Sequence, residues 1–245
     1  MADPNSLTLD QLILQAKQRS DLVNSNFITT EEWTYYVNAS YLELYDLLVT
    51  CYEDYFAVLP PPTYNFTGLT DTYPLPNDCY KVLGVDLSLA AQVGGPTDAW
   101  LTLSKYNFSD RNKYVYGNTP LTYLGVLNLR YRILDNSIRF IPLPAGSQSW
   151  RLWYVPFPQP LVVGTDVPAT PGQWNEYIVT DAAIRAMQKE ESDVTVLAQQ
   201  KSELIKRING SAVNRDAGFP DTVSDTQKMN RAYGSYGSDG PNGGM

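Results

Sequence analysis

Thr29-Thr30-Glu31-Glu32-Trp33-Thr34-Tyr35-Tyr36-Val37-Asn38-Ala39-Ser40-Tyr41-Leu42-Glu43-Leu44-Tyr45-Asp46-Leu47-Leu48 leads shortly into Pro60-Pro61-Pro62. Within that span the hydrophobic period changes. Thr29 and Glu32 have capping-box spacing, with Ile28 and Trp33 at the flanking staple positions. Trp33, Val37, Tyr41, Leu44, Leu48, Cys51 and Tyr55 then recur at steps of three or four, which predicts a helix. The opposite side carries Tyr35, Tyr45 and Tyr52. A helix apolar nearly all round has neighbours on more than one side. It is either the central helix of its own domain or a helix packed between subunits. Three prolines in a row cannot supply helix donors, so the element ends there.

Upstream lies a second, shorter helix. Thr8 and Gln11 form another capping box, with Leu7 and Leu12 as its staple. Leu9, Leu12, Ile13, Ala16 and Val23 make its stripe, ending near Asn24. Downstream, to about residue 168, the spacing falls to two. Tyr80, Val82 and Leu83 lead into Val85, Leu87 and Leu89. Leu129 to Leu134 and Ser137 to Ile141 read as a hairpin around Asp135-Asn136, residues that tolerate the positive φ of a tight turn. Ser149 to Phe157 is a third strand, with Trp150, Leu152 and Tyr154 on one face. Pro156, Pro158 and Pro160 either stop it or make it an edge. Asn107 to Asn128 reads as an exposed loop or irregular hairpin tip.

Helix returns over 170–210. Thr170, Pro171 and Gln173 suit an N-cap, a first helical position and a box. Trp174, Tyr177, Ile178, Ala182 and Ala186 form one stripe; Val194, Leu197, Leu204, Ile205 and Ile208 form another beyond the polar segment Gln188 to Asp193. If continuous, this helix is about 60 Å long at 1.5 Å per residue. Lys206 and Arg207 suit its C-terminal dipole, and Asn209-Gly210 reads as its stop. Residues 211–245 hold too few large apolar side chains to fold alone. They are a loose terminus or a docking arm that orders on a partner.

The chain has 245 residues, a net charge of -8 and no histidine. That length suits one large domain or two small ones. The missing histidine removes Ser-His-Asp and Cys-His triads, His-bound metals and His acid–base chemistry. The acidic balance argues against a basic cradle for nucleic acid. Cys51 and Cys79 read as free thiols in a reducing compartment. The start, Met1-Ala2-Asp3-Pro4, shows no secretion signal, and no run is long enough to span a membrane. Asn-x-Ser/Thr triplets at Asn38, Asn65, Asn107 and Asn209 therefore read as chance matches. No phosphate loop, nucleotide fingerprint or metal-ligand spacing stands out, so no enzyme and no cofactor or metal is expected. Asp46, Glu53 and Asp54 lie on or near one helix, where a carboxylate pair could cleave a glycosidic bond. The 18 Tyr, 7 Phe and 5 Trp could also line sugar subsites on the β-rich middle.

Several segments, in order, resemble a known family. They are Asn26-Phe27-Ile28-Thr29 with Tyr36 to Leu48; Tyr73-Pro74-Leu75-Pro76-Asn77-Asp78-Cys79-Tyr80-Lys81-Val82-Leu83-Gly84-Val85-Asp86; Ile138-Arg139-Phe140-Ile141-Pro142; and Leu152-Trp153-Tyr154-Val155-Pro156. Trp174-Asn175-Glu176-Tyr177-Ile178-Val179, Ala182-Ala183-Ile184, Lys189 to Asp193, and Asn214-Arg215-Asp216-Ala217-Gly218-Phe219-Pro220 complete the series. The whole is similar to the head-to-tail adaptor (connector, tubular tail protein A-like) proteins of short-tailed bacteriophages.

The resemblance implies a structural virion protein, assembled in the host cytoplasm. It would form a homo-oligomeric ring, typically of twelve copies, that joins the portal protein of the filled head to the tail nozzle protein. DNA would pass through its channel without specific binding, and no membrane is involved. The alternative is a virion-associated protein that binds or cleaves glycans. The expected fold class is α+β, with N-terminal helices, a central antiparallel β region, and a long C-terminal helix followed by an extended tail. The expected parts are a helical domain of 1–58 plus 170–210, a β-rich domain of 59–169 and a C-terminal arm of 211–245. Arg215, Asp216, Phe219, Pro220, Tyr233 and Tyr236 are the expected portal contacts. Tyr35, Tyr45, Tyr52, Leu197, Leu204 and Ile208 are the expected subunit interface.

Overall fold

The computed structural model describes residues 6–89, 99–114, 128–144, 146 and 148–213. The fold is α+β. Helices α1 (Leu9–Arg19) and α2 (Thr30–Cys51) precede strands β1 (Thr63–Asn65), β2 (Thr72–Pro74), β3 (Cys79–Ser88), β4 (Trp100–Thr102) and β5 (Ser104–Lys105). Strands β6 (Arg130–Leu134), β7 (Ser137–Ile141) and β8 (Ser149–Pro156) follow, then helices α3 (Asn175–Lys189) and α4 (Thr195–Val213).

Both expected capping boxes form, each with Thr accepting from the N3 amide while the N3 side chain returns to the Thr amide. Helix α1 stops earlier than its stripe suggests. Ser20 caps it and Asp21 takes φ 59°, so Val23 lies beyond the helix and is exposed. Trp33, Val37, Tyr41, Leu44 and Leu48 of α2 enter one core with Leu9, Leu12, Ile13 and Ala16 of α1 and Tyr177, Ile178, Ala182 and Ala186 of α3.

The strands form two sheets, ordered β1-β8-β3-β4 and β2-β7-β6-β5. All pairings are antiparallel except β5 with β6. Alternation points Val85, Leu87, Trp150, Leu152 and Tyr154 of the first sheet toward Tyr131, Ile138 and Phe140 of the second, giving a sandwich with its own core. The expected hairpin is present, with Asp135 at φ 51° between Leu134 and Ser137. Strand β8 lies between β1 and β3, so its prolines end it and do not mark an edge.

Two readings at the C-terminal side are corrected. The single long helix is two helices, α3 and α4, that pack against each other. Glu191 adopts φ 58°, and Asp193 accepts from the Thr195 amide at 2.9 Å, which restarts the chain in a new direction. The polar run Gln188 to Asp193 is therefore a turn. Thr170 does not cap: a 3-10 turn (Gly172–Trp174) opens α3, and the Thr170 hydroxyl is buried without a hydrogen-bond partner. Asn209-Gly210 does not stop α4, which continues to Val213.

The connection after β8 is fastened to α2 by Tyr41, whose hydroxyl accepts from the Ala169 amide at 3.1 Å, and by Asn38. Asn38 Nδ2 donates to the Leu161 carbonyl and Asn38 Oδ1 accepts from the Leu161 amide, each at 2.8 Å. Leu161 is buried, so losing these partners strands two backbone groups. Asn38→Ala is expected to cost about 2 kcal/mol. Urea unfolding checks this, and a loss below about 0.5 kcal/mol would show that the strand-to-helix connection does not depend on it.

Candidate functional site

Helix α2 has four differently covered sides. Trp33, Val37, Leu44 and Leu48 face the helical core. Ser40 and Glu43 meet α3 and α4 through Asp181, Arg185 and Lys201. Tyr45 and Val49 pack on Val155 of β8, with Phe56, Tyr80 and Leu83 around them. The Tyr45 ring stacks on Phe56 at 4.3 Å, and its hydroxyl donates to the Pro156 carbonyl at 2.8 Å. Burial pushes the Tyr45 phenol well above its usual value.

The fourth side of α2 is the least covered; among the described residues, the sandwich touches it where Asp46 meets Tyr80. Tyr35, Ala39, Leu42, Asp46 and Thr50 follow one another at helical spacing along it. Tyr35 is 68% exposed and Leu42 48%. The Tyr35 ring touches only Tyr36, edge-on at 6.2 Å, among the ring contacts of the described residues.

The expected interface set therefore divides. Tyr35 faces outward, and Tyr52 and Leu204 are half-buried. Tyr45, at 2% exposure, and Ile208, at 0%, are corrected: both are enclosed by their own chain and offer nothing to a neighbour. Leu197 is likewise buried, against Ala183 and Ile184. Tyr45, Phe56 and Tyr80 join α2 to the sandwich. Arg215, Asp216, Phe219, Pro220, Tyr233 and Tyr236 lie outside the described residues.

The carboxylates weighed for glycan cleavage do not converge. Helix α2 ends at Cys51, so Glu53 and Asp54 are off it. Asp46 accepts from the Tyr80 hydroxyl, a bond that raises the Tyr80 phenol to about 12. Glu53 pairs with Lys81 at 3.2 Å, and Asp54 faces a cleft. Burial raises the thiols of Cys51 and Cys79, the latter to about 11. A reactive thiolate needs the opposite shift. No cluster of three or more metal-ligating side chains occurs among the described residues. No described helix is long and apolar enough to cross a membrane.

That cleft, of about 730 Å³, lies between the segment after α2 and the outer face of the first sheet. Tyr52, Asp54, Tyr55, Leu83, Gly84 and Trp153 are among its lining. Register builds one wall. Asp86 sits opposite Thr102 on one side and Arg151 on the other. Its carboxylate accepts from Thr102 Oγ1 at 2.8 Å, Arg151 Nε at 2.8 Å and Trp153 Nε1 at 2.7 Å. Burial pushes the Asp86 carboxyl up, but these three donors together outweigh it and leave it below its usual value. Arg151 lies over Trp100 at 4.3 Å and over Trp153 at 5.1 Å, which fixes both indoles. Sequence reasoning missed this wall because Asp86, Thr102 and Trp153 meet only through strand pairing. The signal available was Asp86, a charge between the inward-facing Val85 and Leu87.

A second recess, of about 500 Å³, is polar and lies between α1, α3 and α4. Arg19 crosses it to Glu176 at 2.6 Å. No protein-family model matches the chain, and no curated protein matches it.

Proposed function

We propose that the chain is a non-catalytic subunit of a head-to-tail adaptor ring in a short-tailed bacteriophage, joining the portal of the DNA-filled head to the tail nozzle. One observation carries the reading beyond the resemblance. Three sides of α2 are covered by their own chain, while the fourth presents Tyr35 and Leu42 to the outside. A ring closes through head-to-tail contacts between two different faces of each subunit. A helix held on three sides, with Tyr35 and Leu42 exposed on the fourth, supplies one of them. Leu14 of α1 and Val162 and Val163, next to the Asn38-bound Leu161, are also exposed and add to the apolar surface open to a neighbouring subunit. The net charge of -8 suits a channel past which DNA slides without adhering. The arm residues Arg215 to Tyr236 are the proposed portal contacts, and assembly in the host cytoplasm belongs to the same proposal.

The test is the mass of the purified chain alone and mixed with a purified portal ring. A discrete complex with a fixed number of chains per portal is expected. Leu42→Asp should remain folded, because its site is exposed. It should weaken subunit–subunit association at least about tenfold, equivalent to about 1.4 kcal/mol. A wild-type chain that ignores the portal ring sinks the proposal. A Leu42→Asp ring that assembles normally removes α2 from the interface.

A further inference from the structure

Gly84 stands in the middle of β3, opposite Trp153 of β8, where the register shifts by a bulge. Glycine inside a strand weakens it and marks a bulge, a bend or a place where another molecule approaches closely. The bulge does not require it here. Gly84 is not among the residues with positive φ, and a Cβ built on it would meet no atom within 4 Å. Nothing in the chain's own packing explains the missing side chain. Its effect is on the cleft: it leaves a flat backbone floor beside the indole of Trp153.

The rest of the lining defines what that floor suits. Tyr52, Tyr55 and Trp153 are half-buried rings around it, and Asp54 and Thr102 are exposed polar groups at its margin. The lining residues include two carboxylates and no Lys or Arg, which disfavours phosphates and acidic sugars. Asp86 is already engaged by Arg151, Trp153 and Thr102. That leaves Asp54 as the outward carboxylate, thin provision for a basic peptide. Rings that stack on an apolar face, with a carboxylate and hydroxyls that exchange hydrogen bonds, match a pyranose. The volume is in the range of small-ligand sites.

The geometry points to this cleft as a binding site for a short neutral oligosaccharide, stacked beside Trp153 over the Gly84 floor. The site uses neither Tyr35 nor Leu42, and it requires no bond cleavage. Asp86 is a positioning residue, holding the Trp153 indole through Nε1.

The experiment is a heteronuclear NMR titration of the full chain, following the Trp153 indole N–H, with cellotetraose, maltotetraose and chitotetraose as probes. A saturable shift with at least one of them is expected. Gly84→Leu, built from a Cβ position with no atom within 4 Å, puts an apolar side chain on the cleft floor and should weaken that binding at least about tenfold at an unchanged unfolding midpoint. Asp54→Ala, at an exposed position, should also weaken it and carries the test if Gly84→Leu does not fold. No saturable shift with any of the three sugars overturns the inference. So does binding that Gly84→Leu leaves intact, or a shift produced only by a Lys/Arg-rich peptide.

Discussion

Trp150→Ala is expected to lower the unfolding free energy by about 4 kcal/mol. The side chain is 1% exposed and stands at the centre of the sandwich. It comes from β8 of the first sheet and meets Phe140 of the second at 5.1 Å. Tyr64 stacks on it at 4.7 Å, Phe66 at 6.0 Å, and Tyr73 packs edge-on at 5.9 Å. Removing the indole deletes the ring that four others share, and neighbours held by two hydrogen-bonded sheets cannot collapse to fill the space. Trp150→Phe keeps most of the stacking and should cost less than half as much. Urea unfolding of the three proteins decides this. A Trp150→Ala loss under about 1 kcal/mol would mean that the sheets are held together elsewhere.

Strands β3, β6, β7 and β8 of this sandwich are legible in the sequence; the shorter strands and the pairing into two sheets are not. Alternation put Trp150, Leu152 and Tyr154 on one face, and Asp135-Asn136 announced the hairpin, because both are local signals. Both capping boxes were equally readable: each is a contact between residues three apart. The failures share one cause. Val194, Leu197, Leu204 and Ile208 continue the period of α3 closely enough to read as one helix, and only tertiary packing chooses the turn at Glu191. Thr170 has the right chemistry for a cap, but its hydroxyl is buried inside the fold. Tyr45 reads as interface because periodicity shows that a ring is apolar and not which chain covers it. The cleft was invisible for the same reason. Its wall needs the β3–β8 and β3–β4 registers, and no spacing in the sequence encodes them.

Asp181→Asn is expected to cost about 3 kcal/mol at neutral pH and progressively less in acid. Asp181 is 2% exposed on α3. It accepts from Ser40 Oγ of α2 at 2.7 Å, from Arg185 Nε at 2.8 Å, and from Lys201 Nζ of α4 at 2.8 Å. Arg185 and Lys201 also reach Glu43 of α2, at 3.0 and 2.7 Å. One carboxylate thus ties three helices and fixes α4, whose other core-facing contacts form only a narrow stripe. Burial pushes the Asp181 carboxyl up, but the bonds from Lys201, Ser40 and Arg185 outweigh it, so its folded value lies below the usual one. The charge therefore contributes its full stabilisation above the unfolded-state value of about 4, and loses it as pH falls through the lower folded value. Asparagine cannot carry that charge at any pH. The stability gap between wild type and Asp181→Asn should hold its full width down to about pH 5 and narrow below about pH 4, as pH falls toward the lower folded value. Urea unfolding of both proteins across this range measures it. A gap that stays constant with pH would show that Asp181 holds the helices by shape alone and that its charge contributes nothing.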